Sequence, residues 1–302
     1  MRGILIITMI MVCSFTSIIA QNSTLVKGNF ILDINNNILY STFSNDEADE
    51  FKEQNLLLMN LVTKREDTLI RNAFFIDVEK FSDNEIIMTN GNTISIYNIN
   101  SKQTINVYSL FDNDMTILDV ITNEKNIYFF VRDYNYYKVL FYQLLPNNNM
   151  SLLHSFKYAE LENTGLNTFL DNNYSYIRVN GDLYSFHLKS KTTNKLTDEY
   201  VYSFNFMNDT LFYISHAEDI TSLKSISKDN LKQDIIIENF LYHHPDNFFI
   251  FNNSLYIHTA IGKQSYKIIN KKLIPTTKIP LIDNNLYSIH YINGGNFELI
   301  FK

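Results

Sequence analysis

Apolar positions in this chain come in short runs closed by Asn, Asp, Lys or Gly, and one run returns seven times. A polar residue, usually Asn, opens it, and apolar residues centred on Tyr follow. The copies read NILYSTF from Asn37, NEIIMTN from Asn84, NIYFFVR from Asn126, NYSYIRV from Asn173, TLFYISH from Thr210, SLYIHTA from Ser254 and NLYSIHY from Asn285. Their starts lie 31 to 47 residues apart. Aromatic and β-branched runs with turn residues between them, and no helical period, predict strands throughout. A repeat of roughly 40–45 residues is the length of four short strands and their turns, the unit of a propeller blade.

Each interval holds further strands. The second unit divides into FFIDV, EIIMT, TISIYNI and TINVYS, with its first strand over residues 73–78. The third reads TILDVI, IYFFVR, KVLFYQLL and SLLHSF, and the fourth, fifth and sixth divide the same way. First and second strands are almost continuously apolar, as strands covered on both faces are. Third strands alternate, with Ile94 and Ile96 against Ser95 and Tyr97, which predicts one wet face. The last unit stops after NFELIFK without a fourth strand, and residues 24–27 can supply it. Such closure removes exposed sheet edges. The expected fold class is therefore all-β, a β-propeller of four-stranded blades. Seven blades follow from the count of repeats, or six if the short last interval is not a blade of its own. Residues 46–54 lack strand character and predict a charged loop or helical turn. An outer-membrane barrel is the rival architecture, but it needs strands of about 9–11 residues in strict alternation. Runs such as Phe248-Phe249-Ile250-Phe251 do not alternate.

The first residues have a different pattern. Arg2 precedes a nearly unbroken apolar stretch from Ile4 to Ala20, with Ala20-Gln21 as the cut. This predicts a secretory signal peptide over residues 1–20 and a single propeller domain over 21–302, with a secreted or periplasmic location. An uncleaved anchor is the alternative; after cleavage no membrane span is expected. Cys13 lies inside this stretch and is the only cysteine, so the mature chain has no disulfide framework and no thiolate metal site.

Charge narrows the partners. The formal net charge is −7 and no basic block is present, which argues against nucleic acid. Asp33-Ile34-Asn35-Asn36-Asn37 and Asp112-Asn113-Asp114 begin like calcium loops. The first has Ile38 where the loop needs Gly and Ser44 where it needs Glu, and the second fails likewise, so both read as turns. No phosphate-cradling loop, nucleophile elbow or dinucleotide fingerprint occurs.

With its signal segment and blade rhythm, the chain resembles bacterial secreted β-propeller proteins over nearly the whole mature length. It lacks the Trp-Asp ending of WD repeats, the paired glycines of kelch repeats and, having no Trp, the sialidase-type box. The resemblance implies a binding platform; a protein or glycan partner and a monomeric chain are the expectations set beside it. The lesser implication is a hydrolase or lyase acting outside the cytoplasm.

Candidate contact residues sit where repeated strands end, because propeller loops line the mouths of the ring. Arg132 and Arg178 end the repeated strand in the third and fourth units, and His216, His258 and His290 end it in the fifth to seventh. Side chains alternate faces along a strand, so their unequal offsets split these residues into two groups. Tyr134, Tyr136 and Tyr137 crowd the turn after Arg132, a place for aromatics that bury area on binding. His243 and His244 precede Pro245 and Asp246 in a polar connection. No catalytic residue, metal ligand or cofactor is nominated.

Overall fold

The computed structural model describes residues 23–26, 29–34, 37–43, 53–123, 126–157, 166–171, 173–207, 209–217, 220–227, 233–237, 245–251, 254–259, 264–269, 272–276, 279–280, 286–292 and 296–301. Their strands pair into seven four-stranded antiparallel sheets. In six of them the four strands follow one another in sequence. The second blade, for example, runs Asp77–Ser82, Glu85–Thr89, Thr93–Asn98 and Gln103–Ser109. The seventh sheet joins Ile279–Pro280, Leu286–Ile292 and Asn296–Phe301 to the N-terminal strand Ser23–Val26, which pairs with Asn296–Phe301. The first and last parts of the chain thus share one sheet, as the missing fourth strand predicts. A closed barrel would join all strands in one sheet, and these sheets are separate. No helix among the described residues is long and apolar enough to cross a membrane.

The repeated motif is the second strand of every sheet. In the third blade this strand, Asn126–Asp133, is buried from Ile127 to Val131 without a break. Neighbouring blades cover both of its faces. The apolar clusters accordingly lie between blades: Ile87 and Ile94 of the second pack with Phe129 and Val131 of the third. Phe130 and Phe141 of the third pack with Ile177 and Phe186 of the fourth. Fourth strands carry the water-facing positions, as in Gln103–Ser109 and Thr192–Lys195.

Two expectations need correction. Residues 73–78 do not form the first strand of the second blade. Glu66–Ala73 closes the first blade, Phe74 to Ile76 cross between blades, and the new strand starts at Asp77. The apolar run continues through the crossing, where Phe75 is buried while Phe74 and Ile76 are exposed. The third strand also departs from its alternation, since Ser95 and Tyr97 are buried along with Ile94. Blades cover this strand on both sides, and its polar atoms find partners: Ser95 Oγ donates to Asn106 Oδ1 (2.7 Å) and Tyr97 Oη to the Leu69 carbonyl (3.3 Å). Of the segment 46–54, residues 46–52 lie outside the described residues, and Gln54 opens a strand.

First strands of the first six blades contact one another in succession, which sets them around the axis. Several carry a β-bulge, among them the breaks at Lys80/Ser82, Ile117/Asp119 and Val201/Ser203. A bulge bends the strand and re-aims the side chain after it. In the third blade that side chain is Asp119.

One turn tests the packing at the blade ends. Gly181 has φ +81°, and an added Cβ would lie 2.3 Å from the Tyr200 ring. Gly181→Ala is expected to cost about 1–3 kcal/mol from backbone strain plus the ring's displacement. Chemical denaturation measures this, and an unchanged midpoint would contradict the close approach.

Candidate functional site

Antiparallel order brings the start of each first strand and the end of each second strand to the same mouth of the ring. At this mouth the second, third and fourth blades enclose a cavity of about 260 Å³, lined by Ile76, Asp77, Glu79, Leu118, Asp119, Leu166, Asn167 and Thr168. Asp77 opens its strand and Asp119 follows the bulge, so the two carboxyl groups meet between adjacent first strands. Asp77 Oδ2 accepts the Val120 amide (3.0 Å), and Thr168 Oγ1 donates to Asp119 Oδ2 (2.5 Å). The two acids hydrogen-bond each other, and both carboxyls are held above their ordinary range. Burial raises Asp77 well above the ordinary carboxyl range, and the charges of Asp119 and Glu79 push it further. Burial also raises Asp119, against the hydrogen bonds it accepts.

Glu79 lies two residues beyond Asp77 and therefore on the same strand face. Removal from bulk water, followed by the charge of Asp119, pushes it up to about 7. Its side chain is open to water in the bore, which screens part of that effect. Asn167 adds an acceptor, because its Oδ1 is buried and receives no hydrogen bond. The cavity thus presents acceptors almost exclusively.

These shifts fix a pH dependence. A carboxyl raised on folding stabilises the fold below its unfolded value, and that contribution is lost as pH rises through the folded value. For Glu79 the loss spans 4.5 to about 7; Asp77 and Asp119 act in the same direction. Scanning calorimetry should find a higher Tm near pH 5 than near pH 8. A higher Tm at the alkaline end would contradict the carboxyl cluster.

Beside the cavity the loops of the second and third blades form one bonded unit. Ile76 N donates to the Thr89 carbonyl (2.8 Å), Ile117 N to Gly91 (2.7 Å), Leu110 N to Asn92 (2.7 Å) and Tyr134 N to Asp114 (3.0 Å). On this unit Phe111 is 96% exposed and Tyr136 68%, values rare for large apolar side chains. Tyr134, Tyr137, Phe74 and Ile76 are exposed as well. The tyrosine turn is held rigidly. The buried Asp133 accepts the amides of Asn135 (3.1 Å) and Tyr136 (3.2 Å). The Arg132 guanidinium lies 4.8 Å from the Tyr134 ring centre, and Lys138 Nζ 5.4 Å from that of Tyr136.

Arg178 is placed differently from Arg132. It pairs in register with Asn167, and its Nε donates to the Val201 carbonyl of the next blade (2.5 Å). Burial lowers its pKa, and Tyr200 opposes this by hydrogen bond and charge. It ties the fourth blade to the fifth. His216 Nδ1 lies 3.2 Å from Thr221 Oγ1, and its ring neighbours Tyr202. His258 and His290 fall on the strands Ser254–Thr259 and Leu286–Ile292, but their side chains lie outside the described residues, as do His243 and His244 altogether. The mouth brings Arg132 and the three tyrosines together and sets Arg178 at the edge of the carboxyl cavity. Among the described residues no histidine contacts a carboxylate there, and no group of three or more His, Cys, Asp or Glu is placed to hold a metal ion.

Sequence reasoning missed Asp77, Glu79 and Asp119. A signal was available: Ile76-Asp77-Val78, Leu118-Asp119-Val120 and Leu166-Asn167-Thr168 occupy matching places in consecutive units. An acid repeated inside an apolar first strand marks the axis of the ring.

No protein-family model matches the chain, and no curated protein matches it. Solved structures do. An oligogalacturonate lyase in complex with manganese superposes with a TM-score of 0.67 at 9% identity, over 92% of this chain and 90% of that one. An oligogalacturonate lyase from Vibrio parahaemolyticus gives 0.60 at 9%, over 93% and 97%. The periplasmic gluconolactonase of Pseudomonas aeruginosa gives 0.56 at 8%, over 84% and 85%. At these identities the likeness is one of fold, and the fold of this chain is a β-propeller.

Proposed function

We propose that the protein is an extracytoplasmic binding module that engages a protein or glycan partner at the mouth formed by the second, third and fourth blades. The observation that carries this reading is the exposed aromatic group of Phe111, Tyr134 and Tyr136 beside a carboxyl-lined cavity. Exposed aromatics on a preorganised loop bind at low entropic cost. The signal segment supports an extracytoplasmic location.

A second reading is a propeller enzyme acting on an extracytoplasmic glycan or peptide. Two observations favour it: proteins of similar fold carry the names of a lyase and a lactonase, and a hydrogen-bonded carboxyl pair raised by burial is suited to acid–base chemistry. Against an acidic glycan stands like charge, since such a substrate would meet Asp77, Glu79 and Asp119.

The test is calorimetric titration of the purified chain with peptides and with neutral and acidic oligosaccharides, alongside assays for cleavage. Saturable binding without turnover supports the module. Turnover abolished by Asp119→Asn would establish the enzyme instead.

A further inference from the structure

We propose that this mouth docks a protein segment that places a Lys or Arg side chain in the carboxyl cavity and an apolar side chain beside Phe74. The inference rests on the binding-module reading and names its partner. It starts from the exposed aromatic surface, and two cavities beside that surface define the occupant.

The inner cavity is lined by the carboxyls of Asp77, Glu79 and Asp119, with the unpartnered Asn167 Oδ1 beside them. A guanidinium or ammonium group carries only donors, so it complements this set, whereas a sugar hydroxyl needs acceptors and donors together. Size points the same way. About 260 Å³ is below the roughly 300–1,000 Å³ of drug-sized sites, and suits one side chain better than consecutive sugar rings.

A second cavity, of about 200 Å³, lies on the other side of the crossing segment. Ile70, Ala73, Phe74, Phe75 and Met88 supply its apolar wall. Phe74 belongs to this cavity and Asp77 to the other, and three residues span at most about 10 Å. An extended partner covers that distance with side chains two to four positions apart. Phe111 and Tyr136 are exposed on the loops bonded together beside the crossing segment, where they would meet the partner's backbone. Asp112 and Asp114 on the same loop are exposed and add to the charge complementarity. The local cations are already engaged: Arg132 and Lys138 lie against tyrosine rings, and Arg178 donates to the Val201 carbonyl.

The experiment selects binders to the purified chain from a displayed library of random dodecapeptides, then titrates the best peptide by calorimetry. Enrichment of Arg or Lys with an apolar residue two to four positions away is the expected result. Replacing that Arg with the neutral isostere citrulline should weaken binding about tenfold or more. Phe111→Ala should weaken it about 10–30-fold, as loss of an aromatic anchor does. Glu79→Gln should weaken it about fivefold and flatten its salt dependence. Phe111 and Glu79 are exposed, so both variants retain the fold. Enriched peptides without a cation, or binding indifferent to Phe111→Ala and Glu79→Gln, would overturn the proposal. Binding of oligosaccharides but no peptide would overturn it and leave the module reading standing. Glycan turnover with no stable binding of either class would overturn both.

Discussion

Asp77→Asn is expected to make the protein more stable and a poorer binder at once. Burial, with the charges of Asp119 and Glu79, raises Asp77 well above the ordinary carboxyl range and makes its charged form costly. An amide has the same shape, donates to Asp119 in place of the proton, and carries no charge to desolvate. Its carbonyl can still accept the Val120 amide now bound to Asp77 Oδ2. The stability gain should be about 0.5–2 kcal/mol at neutral pH, the usual size for a single stabilising substitution, and scanning calorimetry would read it as a rise in Tm. The gain should shrink as pH falls toward the ordinary carboxyl value, where the unfolded chain takes up the same proton. Affinity for a cationic peptide should fall by about tenfold, because a bound guanidinium favours the ionised form of Asp77 and an amide cannot ionise. Opposite signs in the two measurements identify a group kept for function at a cost in stability. A variant that loses both would show Asp77 to be structural only.

Phe141→Ala should give the largest loss of stability, about 3–5 kcal/mol. Phe141 is fully buried in the third strand of the third blade. Its ring stacks on Phe130 with centroids 4.4 Å apart and meets Phe186 of the fourth blade edge-on at 5.3 Å. Truncation opens a cavity between blades, and close packing leaves little to collapse into it. Denaturant titration should show a lower midpoint with an unchanged slope, because the surface exposed on unfolding is nearly the same. A loss below about 1 kcal/mol would mean that blade contacts do not hold this ring together.

The blade rhythm was legible because the second strand of each unit is enclosed on both faces. That enclosure demands runs such as Ile127 to Val131, which a sequence displays directly. The turn at Tyr134, Tyr136 and Tyr137 was legible for the converse reason, since aromatics next to Asp133 and Asn135 stand out among turn residues. Third strands misled, because their Ser and Tyr side chains spend their polar atoms on neighbouring strands while buried, as Ser95 and Tyr97 do. The carboxyl pair was hidden by distance. Asp77 and Asp119 are separated by a whole blade in sequence and meet only because the ring sets their first strands side by side, with the bulge before Asp119 turning it inward. Phe111 was hidden for another reason. It follows Leu110 at the end of an outer strand and reads as core, yet the loop leaves it almost wholly in water. Periodicity reports which elements are covered, while a site at a ring mouth depends on which loops the ring places together.

The most direct test of a binding mouth is hydroxyl-radical footprinting of the chain with and without a bound partner peptide. Phe111 and Tyr136 should be protected, while Ile105 and Leu152, exposed on the outer strands Gln103–Ser109 and Met150–Lys157, should not change. Protection on the outer strands with Phe111 and Tyr136 unaltered would place the partner elsewhere and contradict the account.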